Sequence, residues 1–165
     1  MTECGTDPIC GACGMCCDGV LFHSVELQEG DSARQLAARG IKIRSKKGQA
    51  FFLQPCSAHQ NGSCVIYEDR PARCRLFNCR QLVLLEKGET TKEAALEKIR
   101  EARQRVDTVN GLLNQIAETN PNRSLAQRCA NALTTPDPTP IHQKLESTMA
   151  ELEAYLEKHF RVPEI

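Results

Sequence analysis

The spacing of apolar residues changes character near residue 90. Beyond it, Ala95, Ile99, Ala102, Val106, Val109, Leu113 and Ile116 recur in alternating steps of four and three, which lines one face of a helix. Thr90-x-x-Glu93 supplies a capping box for its start, and Pro121 lies beyond its end. A second stripe, Ile141, Leu145, Met149, Leu152 and Leu156, predicts another helix, closed before Pro163. Between the two, Ser124-x-x-Gln127 can cap a short helix through Leu133. Pro136-Asp-Pro138-Thr-Pro140 is an extended connector, because alternate prolines remove the amide donors that a helix interior needs. The shared seven-residue stepping predicts that the long helices pack antiparallel on each other.

The first ninety residues carry shorter signals. Residues 1–9 are polar, with Cys4 the one residue of interest. Val20-Leu-Phe22 reads as a short strand or an extended passage. Asp31 can cap a helix over Ser32–Arg39 that Gly40 ends. Ile41-Lys-Ile-Arg44, the turn Lys46-Lys-Gly48 and the run Gln49–Leu53 predict a hairpin. Asn61-Gly62 is a turn dipeptide, and Cys64-Val-Ile-Tyr67 an extended piece. Asp69 and Pro71 mark a helix start that places Cys74 on the helix and Cys79 near its end. The fold expected is α-rich with a minor β part. A cysteine-organised N-terminal half of loops and short strands packs on an antiparallel pair of C-terminal helices.

A chain of 165 residues can form one domain with a real core. The expectation is a single domain over 1–165, with a cysteine core at 10–80 and a helical extension at 90–160. Charge is uneven although it sums to zero. Residues 1–33 hold six acids and no Lys or Arg, residues 34–105 hold sixteen bases and seven acids, and residues 106–165 hold five bases and eight acids. The basic middle lacks the interleaved aromatics of single-strand binders, with no Trp and two Tyr, so nucleic acid is a disfavoured partner. A basic segment that balances thiolates and its acidic flanks is the favoured reading.

Ten cysteines require an explanation. No basic stretch followed by an apolar run opens the sequence and no run suggests a membrane span, so a cytoplasmic protein is expected. There, clustered cysteines read as metal ligands before disulfides. The densest stretch is Cys10-Gly-Ala-Cys13-Gly-Met-Cys16-Cys17, followed by Asp18-Gly19. Its C-x2-C steps let sulfurs converge, and glycines at 11 and 14 permit positive φ. Adjacent side chains diverge, so Cys16 and Cys17 either serve two centres or leave one spare. A second group follows: Cys56, Cys64, Cys74 and Cys79. Thiolates select zinc, copper(I) and iron–sulfur centres. The C-x2-C-x2-C spacing is that of a ferredoxin cluster loop, whereas zinc ribbons use two separate knuckles, so spacing tilts toward iron–sulfur.

Together with Pro55-Cys56, Cys64-Val-Ile-Tyr67, Arg70-Pro71, Cys74-Arg75-x-Phe77 and Cys79, this stretch resembles the bacterial YkgJ-like cysteine-cluster family, a zinc- or iron-chelating type, over residues 10–80. A related domain occurs in flagellin lysine methylases, where it is taken to carry an iron–sulfur cluster. The resemblance implies that Cys10, Cys13, Cys16, Cys17, Cys56, Cys64, Cys74 and Cys79 are the metal positions. The cofactor favoured is one [4Fe–4S] cluster on four of them, with structural zinc as the alternative; which four is open. His59 is a lesser candidate ligand. His23, His142 and His159 read as surface or helix-end residues, and Cys129 as a small helix residue. Arg70, Arg73, Arg75 and Arg80 can donate to thiolates or form a solvated face. No phosphate loop or dinucleotide fingerprint is present. A metal-binding protein with a redox, sensing or interaction role, and a possible protein partner, is therefore favoured over an enzyme. In the enzyme reading, His59, Tyr67 and Arg70 line a pocket beside the metal.

Overall fold

The computed structural model describes residues 8–162; Cys4 and Pro163 lie outside them. Among the described residues there are seven α-helices and five short strands, so the chain is α-rich with a minor β part. Contacts divide it into two compact units. The first runs through Phe77 and takes in Asn122–Ser124; the second comprises Asn78–Pro121 and the chain from Leu125 onward.

The first unit opens with α1 (Pro8–Cys13), then β1 (Ser24–Glu26) and α2 (Ala33–Ala38). The predicted hairpin forms as β2 (Arg44–Lys46) and β3 (Gln49–Leu53). Its two-residue turn puts Lys47 at φ 51° and Gly48 at φ 81°, the left-handed pair that suits the twist of a tight hairpin. β3 is central, antiparallel to β1 on one side and β2 on the other. A smaller ribbon follows, β4 (His59–Gln60) with β5 (Ser63–Cys64), joined through Asn61-Gly62. The unit ends with α3 (Ala72–Leu76). Val25, Leu27, Leu36, Ile41, Phe52, Ala58 and Ile66 form its core.

Two local expectations shift. The strand lies at Ser24–Glu26 and not at Val20–Phe22; Val20 and Leu21 are buried without strand pairing. Ser32, not Asp31, caps α2, its hydroxyl accepting from the Gln35 N–H at 3.2 Å. Asp31 acts at longer range: one carboxylate oxygen accepts from the Gln28 N–H at 2.8 Å, the other from the Ala72 N–H at 2.9 Å. It therefore satisfies a donor at the start of α3 that Pro71 cannot cap with a side chain.

The second unit holds α4 (Arg80–Glu86), α5 (Lys92–Gln115), α6 (Leu125–Ala132) and α7 (Pro140–His159). The predicted stripes are buried in both long helices, with Leu112 added and with Ile116 and Ile141 at the margins. Tyr155, late in α7, donates to Glu101 Oε2 in the first half of α5 at 2.5 Å, a contact consistent with the antiparallel pairing expected. Thr91, one residue later than expected, caps α5. Thr139 and His142 form a reciprocal capping box on α7, with Pro140 at its first turn. The Arg80 N–H donates to the Phe160 carbonyl at 2.9 Å and Gln81 Nε2 to the His159 carbonyl at 2.7 Å, which ties α4 to the end of α7.

Candidate metal centre

The first cysteine stretch folds as a helical turn followed by a chain of reverse turns. Cys10 and Cys13 lie three apart on α1 and share a face. Gly11 sits inside α1 and needs no positive φ, contrary to expectation, whereas Gly14 ends the helix at φ 64° as its spacing suggested. The Gly14 carbonyl then accepts from the Cys17 and Asp18 N–H groups at 3.0 and 3.1 Å. Asp18 turns the chain again, Oδ1 accepting from the Val20 N–H at 3.1 Å. Met15, between the cysteines, is fully buried, with Ile9 and Leu21 also inside. The loop is thus pinned by an apolar plug, and Cys10, Cys16 and Cys17 are left half-exposed while Cys13 is buried.

This loop is fastened to the second group. The Cys56 N–H donates to the Cys17 carbonyl at 2.8 Å, and Gln54 Nε2 donates to the Cys16 carbonyl at 3.1 Å. Gln54 is 1% exposed, and its backbone N–H is held by the His23 carbonyl at 2.9 Å. Two stretches 38 residues apart at Cys16 and Gln54 are therefore neighbours.

Cys56, Cys64 and Cys74 are partly buried against the same apolar core. Cys56 follows β3, Cys64 ends β5 and Cys74 is mid-α3. Burial pushes the Cys74 thiol up to about 12; the Cys56 and Cys64 thiols push it further the same way, and the Arg70 guanidinium opposes them. Burial also raises Cys56, against the pull of the Ala58 N–H and, less strongly, the His59 N–H on its sulfur. These are three thiols within electrostatic reach of each other, one of them already receiving backbone donors. A bound cation reverses the preference for protonated thiols, since a coordinating thiol loses its proton. Among the described residues, no three Cys, His, Asp or Glu side chains already stand gathered around a common point. The donor chemistry nevertheless fits a thiophilic metal: sulfur ligands, N–H donors to sulfur and a buried imidazole nitrogen without a partner, His59 Nε2.

Cys79 departs from expectation. It does not end the helix of Cys74, which stops at Leu76; it is the N-cap residue of α4, in the second unit, and buried. Arg70 lies over the Tyr67 ring at 3.6 Å, its Nε donating to the Tyr67 carbonyl at 2.8 Å. Arg73 and Arg75 are exposed, and Arg80 Nε donates to the Arg161 carbonyl. His23 is exposed, and His142 and His159 sit at the two ends of α7 as the sequence suggested. Cys129 is buried in α6. A polar cavity of about 440 Å³ in the first unit is lined by Asp31, Ser32, Gln35, Arg39, Arg70 and Arg75, among others; Arg39 is paired there with Asp69 at 2.6 Å. The bonds of Gln54 to Cys16 and of Asp31 to Ala72 had no sequence signal, because each spans tens of residues.

Among known families, the one described as "CxxCxxCC: Putative zinc- or iron-chelating domain" matches residues 9–99, over half the chain, including both cysteine groups. No curated protein and no solved structure matches the chain significantly. No helix among the described residues is long and apolar enough to cross a membrane. Metal binding through clustered cysteines is what the matched family, the soft donor set and the fastened loops have in common, and the chain belongs to the CxxCxxCC family.

Proposed function

We propose that this protein is a cytoplasmic metal-binding protein whose clustered cysteines hold an iron–sulfur centre of the [4Fe–4S] type, with a redox, sensing or interaction role and no catalysis of its own. The ligands come from Cys10, Cys13, Cys16, Cys17, Cys56, Cys64, Cys74 and Cys79, in a single domain whose metal-binding core spans 10–80. The observation that carries this reading is the backbone bond from Cys56 to Cys17, which holds the two cysteine groups side by side. The ferredoxin-like spacing of the first group supports iron–sulfur over zinc.

Energetics supports a structural contribution from the metal. The first unit is small, and a core of that size rarely supplies more than about 3–5 kcal/mol. A metal that binds only the folded ligand loops adds its binding free energy to folding. Cys13→Ser and Cys74→Ser are each expected to lower metal content and thermal stability together. Full retention of both in either variant removes that residue from the ligand set. Reversible reduction followed by absorption separates a carrier or sensor from a redox-silent structural centre. Turnover of a small-molecule substrate, abolished by Arg70→Ala with the metal retained, would overturn the non-catalytic part of the reading.

One observation favours structural zinc as the second reading. His59 Nε2 is buried without a hydrogen-bond partner in the turn that leads from Cys56 to Cys64, and three thiolates with one imidazole are a familiar zinc set.

A further inference from the structure

The four residues from Cys56 to His59 make a tight turn, the His59 N–H donating to the Cys56 carbonyl at 3.0 Å. Burial raises the Cys56 thiol, and the backbone at Ala58 and His59 pulls it down. Ala58 anchors the turn, 2% exposed in the apolar core against which Cys56, Cys64 and Cys74 all pack. Immediately afterwards His59 enters β4, where it is the direct antiparallel partner of Cys64 on β5.

That register fixes direction. Residues opposite each other in an antiparallel pair project to the same face, with Cβ atoms about 4.5–5.5 Å apart. The imidazole of His59 and the thiol of Cys64 therefore leave the ribbon side by side. The turn at Asn61-Gly62, with φ of 50° and 79°, leaves no freedom for a one-residue slip that would send them to opposite faces. His59 Nε2 is buried and has no hydrogen-bond partner. A buried polar atom left without a partner is destabilising, and its lone pair is available when the ring proton sits on Nδ1.

We infer that His59 is the nitrogen ligand of a centre whose sulfur ligands are Cys56, Cys64 and Cys74, in place of a fourth cysteine. The inference rests on the reading that the second cysteine group binds metal, and it names the ligand set there. It accounts for two things that an all-cysteine set leaves unexplained: the orphaned Nε2, and a register that places imidazole beside thiol. Among the described residues the four donors do not yet surround a common point.

The test uses cobalt(II) added to the full-length, metal-free protein under reducing, anaerobic conditions. The expected result is one tightly bound ion with charge-transfer intensity for three thiolates and a directly coupled ¹⁴N nucleus in pulsed EPR. His59→Cys should keep the ion, raise the thiolate count to four and abolish the ¹⁴N coupling. His59→Ala should weaken binding at least about tenfold, the smallest loss typical of disturbing a metal's surroundings. Cobalt bound through sulfur alone in the wild type overturns the assignment of His59 and leaves the cysteine centre standing. Cobalt not bound at all overturns the metal-centre reading together with this one. Should His59→Ala fail to fold, the wild-type coupling and His59→Cys still decide the question.

Discussion

The Cys56 amide donates to the Cys17 carbonyl at 2.8 Å, joining two cysteine groups that are well separated in the sequence. Gln54 reinforces the joint through its side-chain bond to the Cys16 carbonyl. Because Gln54 is fully buried, its amide cannot trade that bond for water. Gln54→Glu preserves shape but removes the donor and buries a carboxylate beside a carbonyl. It should destabilise the protein by about 1–3 kcal/mol or more and lower metal content, as read by chemical denaturation and metal analysis. Wild-type stability in Gln54→Glu would show that the joint is held by the backbone alone.

Gly19 closes the first cysteine loop at φ +84°, and a Cβ there would meet Ser124 Cα at 3.0 Å. Both strain and contact oppose any side chain. Gly19→Ala should cost about 1–3 kcal/mol, visible as a lower melting temperature. Gly30→Ala is the control, with a similar φ but open space around it; it should cost less.

Cys129 gives the contrasting thiol. It is 2% exposed, and burial pushes it up to about 11. In native protein it should resist alkylation at pH 8 while the half-exposed cysteines react. Its folded value lies above the unfolded 9.0, so its contribution to stability is complete below pH 9 and lost as pH rises through about 11. Cys129→Ser should leave metal content unchanged. A fall in metal content would make Cys129 a ligand.

The contact between α5 and α7 is titratable from the acid side. The Tyr155 hydroxyl, then Lys98, holds Glu101 below its ordinary range, and burial, then Lys98, lowers His159. Both folded values lie below the unfolded ones. The His159 contribution is therefore present above pH 6.5 and lost as pH falls through its folded value; that of Glu101 follows below pH 4.5. His159→Gln should flatten the first loss and Tyr155→Phe the second, measured as melting temperature against pH. Unchanged profiles would show that neither group is coupled to folding.

The long helices were legible because their apolar residues obey one period over five or six turns. A one-residue error at Thr90 and Thr91 reflects two adjacent residues with equal capping chemistry. The turns were legible from Gly48 and from Asn61-Gly62, residue types that favour left-handed backbone; Lys47 adopts it beside Gly48 without such a preference. α1 was not, since six residues containing Gly11, Ala12 and two cysteines carry no periodic signal. α4 was missed because Leu82-Val-Leu-Leu85 is a continuous apolar run, which reads equally as strand or helix. Within the candidate site, the cysteines announced themselves by spacing. What joins them did not: Gln54, Asp31 and the register of His59 with Cys64 are tertiary facts.

The most direct test of a cysteine-bound iron–sulfur centre is to purify the full chain anaerobically and assay iron, zinc and acid-labile sulfide on one sample. The prediction is bound iron with sulfide in about equal amount, the composition of a [4Fe–4S] cluster, lost together in Cys74→Ser. Zinc without sulfide, or no retained metal, would contradict it.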